Sequence, residues 1–142
     1  MIIELAHSNT FAKEILSKIS AKADGAYIVF LSGDLGSGKT TTTKSIAYEL
    51  GIQEDITSPT FVILKRYEIE KGEFKNLIHV DAYRLKGYTE LQRIKFEEYM
   101  KDSQNLILLE WPEMVESENL KADMTIVFSY GEKEGERIVE IK

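Results

Sequence analysis

An α/β domain, with a mixed parallel and antiparallel sheet in the middle of three layers, is predicted by three observations. First, the apolar run Ala26-Tyr27-Ile28-Val29-Phe30-Leu31 leads into Gly33-Asp34-Leu35-Gly36-Ser37-Gly38-Lys39-Thr40, and Thr43, Ile46, Ala47 and Leu50 then recur at helical spacing up to a capping Gly51. Second, two more apolar runs, 77–80 and 106–109, each end in a carboxylate, Asp81 and Glu110. Third, an alternating stretch runs into the Lys71-Gly72 turn before the second strand, and alternating stretches flank Gly131–Gly135, which is how antiparallel hairpins read. Strand–loop–helix units favour a parallel sheet and the hairpins add antiparallel strands to it.

The chain has 142 residues, 43% hydrophobic and 30% charged, which suits one domain spanning 1–142 with a full core. No basic-then-apolar leader and no apolar run of membrane-spanning length is present. The absence of cysteine excludes disulfides and thiolate metal sites and fits a cytoplasmic protein. A net charge of -6 argues against the chain gripping DNA or RNA by itself, because neutralising phosphates needs a basic face. Any RNA in its biology is expected to arrive through a partner.

In chain order, residues 1–5 form a short strand. Ser8, Asn9 and Thr10 offer N-cap oxygens to a helix whose inner face is Phe11, Ile15 and Ile19. His7 stands alone, with a surface or capping role expected.

The next strand, 26–31, delivers G-x-x-x-x-G-K-[ST], a phosphate-binding loop in the context that motif requires. Its glycines let the backbone curl so that amides from Asp34 through Leu35, Gly36, Ser37, Gly38, Lys39, Thr40 and Thr41 gather at a polyphosphate, on the positive end of the new helix. Lys39 would bridge the outer phosphates and the Thr40 hydroxyl would ligate Mg2+. The plain alternative is a glycine-rich turn that precedes a lysine. A three-layer P-loop NTPase-like domain follows from the first reading.

Beyond Gly51 the chain is polar to Thr57. Ser58-Pro59-Thr60 then makes a stiff extended connector, since proline restricts itself and its predecessor. Two readings stand there: a loop that senses the terminal phosphate and Mg2+, or a turn that only starts a strand. Phe61, Ile63, Tyr67 and Ile69 share one face of that strand, and the hairpin returns through 77–80. Asp81, at the carboxyl end of the returning strand, sits where a Mg2+-linked acid belongs; a helix N-cap is the other reading. Arg84, three residues on, could meet phosphate or pair with a carboxylate.

The pattern from Gly87 to Ser103 is helical, with Leu91, Ile94, Phe96, Tyr99 and Met100 as core positions. Glu110 ends the strand 106–109 and could hold Mg2+ through water or orient an attacking water; a strand-end ion pair is the alternative. Trp111, the single tryptophan, covers a nucleotide, anchors a partner or fills the core. The last hairpin, 124–141, shows no chemistry.

Gly33–Thr40 with Ser58-Pro59-Thr60-Phe61, then His79-x-Asp81-x-Tyr83-Arg84, then Glu110-Trp111-Pro112-Glu113, closely resemble in order the motifs of the TsaE family. These are small bacterial ATPases of tRNA threonylcarbamoyladenosine formation. The resemblance spans nearly the whole chain and rests on the second and third motifs, since the first is shared by many families. It implies an ATP- and Mg2+-dependent subunit working with TsaB and TsaD, in which TsaD modifies the adenosine beside the anticodon. It further implies that Lys39 binds phosphate, Thr40 binds Mg2+, and Asp81 and Glu110 attend the metal and catalytic water. Thr60 then lies on a nucleotide-responsive loop and Trp111 beside the nucleotide. Ile94-Lys95-Phe96 departs from relatives that often carry glycine there.

Three functions compete. An ATPase needs extra positive charge on the γ-phosphate in the transition state, from Arg84 or from a partner. A small-molecule kinase needs a basic lid, and no arginine-rich segment supplies one. A non-hydrolysing nucleotide-gated module would keep Lys39 and Thr40 without the acids. A GTPase is disfavoured, as no Asn-Lys-x-Asp occurs.

Overall fold

The computed structural model describes residues 1–56 and 63–142. One seven-stranded sheet contains every strand among them, in the order β1-β7-β6-β2-β5-β4-β3. The strands are β1 (Ile2–Glu4), β2 (Tyr27–Ser32), β3 (Leu64–Glu68), β4 (Asn76–Asp81), β5 (Asn105–Glu110), β6 (Met124–Tyr130) and β7 (Glu136–Ile141). The centre is parallel, β2 pairing with β5 and β6, and β4 with β5. The flanks are antiparallel, with β3 on β4 and β7 between β6 and β1. The mixed sheet expected from the two hairpins is present.

Helices cover both faces. On one lie α1 (Ser8–Ser17) and α2 (Lys39–Glu49), whose Phe11, Ala12, Ile15, Ile46, Ala47 and Leu50 pack with Val29, Leu31, Leu106 and Leu108. On the other lie α3 (Tyr88–Arg93), α4 (Phe96–Met100) and the 3-10 turn Pro112–Val115. Their Tyr88, Leu91, Phe96 and Val115 pack with Ile28, Ile78, Val80, Ile107 and Leu109. Strand β5 sits mid-sheet with all six residues buried, which is why it reads as an unbroken apolar run rather than an alternation. Gly51 closes α2 as expected: its N–H donates to Tyr48 O at 3.1 Å and that of Ile52 to Ala47 O at 3.1 Å.

Several local expectations change. Helix α1 starts at Ser8 behind His7 as N-cap, with no side-chain capping bond, and Ser8 is instead buried against Ser45 at 2.6 Å. His7 is not alone, since its Nδ1 lies 3.0 Å from Glu4 Oε2. Both groups are exposed, so that pair contributes little to stability. Ile63 precedes β3 and packs with the cluster opposite Tyr67 and Ile69.

The single helix expected over 87–103 is two, because Lys95 adopts φ 62° between α3 and α4. That left-handed residue redirects the chain so that Phe96 is fully buried, at a steric cost to any residue with a Cβ. Lys95→Gly should therefore raise stability by about 1 kcal/mol, which for a domain of this size is about 3 °C in Tm. Thermal denaturation of the variant checks this, and an unchanged or lower Tm refutes the strain.

Candidate functional site

Leu31 of β2 and Asp81 of β4 both pair in register with Glu110 of β5. The carboxyl ends of three neighbouring parallel strands therefore meet at one place, the crevice where open α/β sheets bind ligands. The Trp111 N–H donates to Leu31 O at 3.2 Å and the Ala82 N–H to Glu110 O at 3.0 Å, so the strand tips are tied together.

The 33–40 loop crosses this crevice between β2 and α2. Gly33 has φ 150°, and a Cβ there would lie 2.6 Å from Phe128 O. Gly38 has φ 113°, with a Cβ that would sit 2.9 Å from Leu5 Cδ2. Only glycine fits either place without moving its neighbours. The Lys39 ammonium turns back over the loop, donating to Asp34 O at 2.8 Å and to Gly33 O. It lies 4.2 Å from the centre of the Trp111 ring. Burial pushes the Lys39 pKa below its ordinary value, while Glu110, Glu113, Asp81 and Asp34 pull the other way.

Glu110 is 2% exposed and both its carboxylate oxygens are engaged. Thr40 Oγ1 donates to Oε1 at 3.0 Å, and His79 Nε2 is 2.6 Å from Oε2. A carboxylate only accepts, so the His79 proton is assigned to Nε2. The other ring nitrogen, Nδ1, is buried with no hydrogen-bond partner among the described residues. Asp81 Oδ1 accepts the Tyr83 N–H at 3.0 Å, closing a short turn, and α3 begins only at Tyr88. The helix N-cap reading of Asp81 is thereby ruled out. Tyr83 in turn packs on Trp111, ring centres 4.8 Å apart. Trp111 itself has φ 62°, a strained conformation that aims its ring at Lys39.

The oxygens of Thr40, Glu110 and Asp81 are hard donors suited to Mg2+, and among the described residues no closed cage of metal-ligating side chains forms.

Lys39, Thr40, Glu110, Asp81 and Trp111 lie together at the strand tips. Asp34, Leu35 and Gly36 are exposed on the loop, Ser37 and Gly38 are buried, and Thr41, the third residue of α2, is half-buried. Arg84 is exposed on the turn after β4. Ser58, Pro59 and Thr60 lie outside the described residues. The sequence gives His79 only as the first residue of the His79-x-Asp81 motif, with no role, although its place in β4 two residues before Asp81 puts both on one face of the strand.

The family model described as threonylcarbamoyl adenosine biosynthesis protein TsaE matches residues 4–139. Relatives bearing the name tRNA threonylcarbamoyladenosine biosynthesis protein TsaE are similar. The one from Haemophilus influenzae is 33% identical over 82% of this chain and 70% of its own length, and that from Bacillus subtilis 36% identical over 81% and 69%. The Streptomyces coelicolor protein is 44% identical, but the match covers 61% of this chain and 57% of that relative, less than two thirds of its length. The crystal structure of Bacillus subtilis YdiB superposes with a TM-score of 0.63 at 29% identity, over 98% of this chain and 80% of that one. The architecture is a P-loop NTPase-like α/β fold.

Proposed function

The chain belongs to the TsaE family, and from that premise we propose that it is an ATP-hydrolysing subunit supporting tRNA threonylcarbamoyladenosine formation with TsaB- and TsaD-like partners. The observation that carries the reading is the meeting of Lys39, Thr40 and Glu110 at the tips of β2 and β5. Lys39 and the amides of 34–41 bind the β- and γ-phosphates of ATP. Thr40, Glu110 and Asp81 would hold Mg2+, which would neutralise charge on those phosphates. Glu110, held by His79 at one oxygen and by Thr40 at the other, orients the attacking water through a remaining lone pair. Asp81 supports it from the neighbouring strand, and Trp111 closes over Lys39.

Full activity calls for a cation at the γ-phosphate, from Arg84 or from a partner, worth about a thousandfold or more. The net charge of -6 supports tRNA being reached through the complex. No helix among the described residues is long and apolar enough to cross a membrane, and a cytoplasmic place of work is part of the proposal.

Phosphate release measured with and without TsaB and TsaD tests the proposal. ADP and free phosphate without any acceptor, rising when the partners are added, are expected. A phosphorylated metabolite would instead make the protein a kinase, and nucleotide binding without phosphate release under any condition would make it a gated binding module. Because Trp111 lies on Lys39, adding ATP to the protein should also change Trp111 emission, and a flat titration at saturating ATP would remove Trp111 from the site.

A further inference from the structure

The hairpin of β6 and β7, silent in the sequence, reaches the outer side of the 33–40 loop. Tyr130 and Arg137 are register partners across it. The Arg137 guanidinium stacks on the Tyr130 ring with its carbon 4.6 Å from the ring centre. From that stack the Tyr130 hydroxyl donates to Leu35 O, and Arg137 Nη2 donates to Gly36 O at 3.0 Å. The second terminal nitrogen, Nη1, donates to Glu136 O at 2.9 Å, fixing the guanidinium to its own strand.

We propose that Tyr130 and Arg137 are positioning residues for nucleotide binding, holding two consecutive carbonyls of the loop outward so that its amides keep their binding orientation. This rests on the reading of 33–40 as a nucleotide-phosphate loop. The physical link is the rigid peptide unit, in which a trans amide points its N–H opposite its C=O. Fixing Leu35 O therefore turns the Gly36 N–H away from the hairpin. Fixing Gly36 O does the same for the Ser37 N–H, which donates to Asp34 O at 3.1 Å. Asp34 O also receives the Lys39 ammonium at 2.8 Å. The Arg137 contact thus passes through one peptide and one carbonyl to the cation that meets the phosphates.

Such a brace matters here because the loop is exposed at 34–36 and glycine-rich, with many backbone orientations open to it. A carbonyl swung inward would face phosphate oxygens with like partial charge. Ordering the loop before the ligand arrives lowers the cost of binding. Lysine at position 137 could not do the same, since it lacks the flat face that stacks on Tyr130 and the fork that serves two carbonyls.

Tyr130→Phe removes one oxygen and keeps the ring under Arg137; Arg137→Lys keeps the charge and loses the fork. Dissociation constants for ATP and ADP, steady-state phosphate release with the partner proteins, and Tm are measured for the parent and both variants. Each variant is expected to weaken both nucleotides about five- to tenfold, raising KM in step, with kcat changed less than about twofold and Tm within about 2 °C of the parent. Parent-like dissociation constants in both variants, or affinity losses that only follow Tm, would overturn the proposal. A parent protein that binds no nucleotide would instead overturn the reading of the loop itself, so the two failures are distinct.

Discussion

Glu110→Gln should bind ATP about as tightly as the parent and lose turnover by about two to three orders of magnitude. In the proposed reading binding rests on the loop amides and Lys39, which this change leaves in place. What it removes is the negative charge that can polarise a water, at a residue 2% exposed with no solvent to replace it. The amide also mismatches its neighbours. Thr40 donates at 3.0 Å and His79 at 2.6 Å, so two donors face a side chain that has one acceptor oxygen and an NH2. Either the amide or its partners must turn. A companion change, His79→Leu, leaves the charge but frees one carboxylate oxygen from its fixed partner, and about a tenfold loss in kcat with little change in ATP affinity is expected. Single-turnover hydrolysis with the partner proteins, alongside equilibrium nucleotide titration, separates the two effects. Parental turnover by Glu110→Gln would remove Glu110 from the chemistry and return that role to Asp81.

Much of this site could be read before the fold was seen, and the reason is local. The 33–40 loop, its strand and its helix are contiguous, so their spacing alone specifies the arrangement. Asp81 and Glu110 each announce themselves as an acid at the end of an apolar run. What spacing cannot give is which strands are neighbours. The alternation of β4 put His79 and Asp81 on one face, but only the pairing of β4 with β5 shows that His79 meets Glu110. The same holds for Tyr130 and Arg137, which reach the loop because β6 lies beside β2. Backbone sign was equally hidden. Lys95 and Trp111 take positive φ with no glycine to mark it, so helical spacing runs unbroken through the first and leaves the aim of the second open.

Lys39→Met should raise the ATP dissociation constant by about a hundredfold or more while leaving Tm equal to or above that of the parent. The first half follows from its place. Its ammonium is held over the loop by Asp34 O at 2.8 Å and by Gly33 O, beside the amides that would meet the phosphates, and methionine offers neither charge nor donor. The second half follows from the direction of its pKa. Burial holds the folded-state value below the ordinary one, so the fold disfavours the bound proton despite four nearby carboxylates. That penalty is present at neutral pH and is relieved as pH rises through the folded-state pKa towards the unfolded one. The stability advantage of Lys39→Met should therefore be largest near pH 7 and shrink in alkaline buffer. The two carbonyls it abandons belong to Gly33, which is half-buried, and Asp34, which is exposed, so water can serve them. Thermal melts from pH 7 to pH 10 and nucleotide titrations of the same variant provide the check. Parent-like affinity would refute the phosphate assignment of the loop. A Tm several degrees below the parent would make Lys39 a structural strut, whereas a stable variant that has lost its nucleotide identifies a buried cation kept for the ligand it binds.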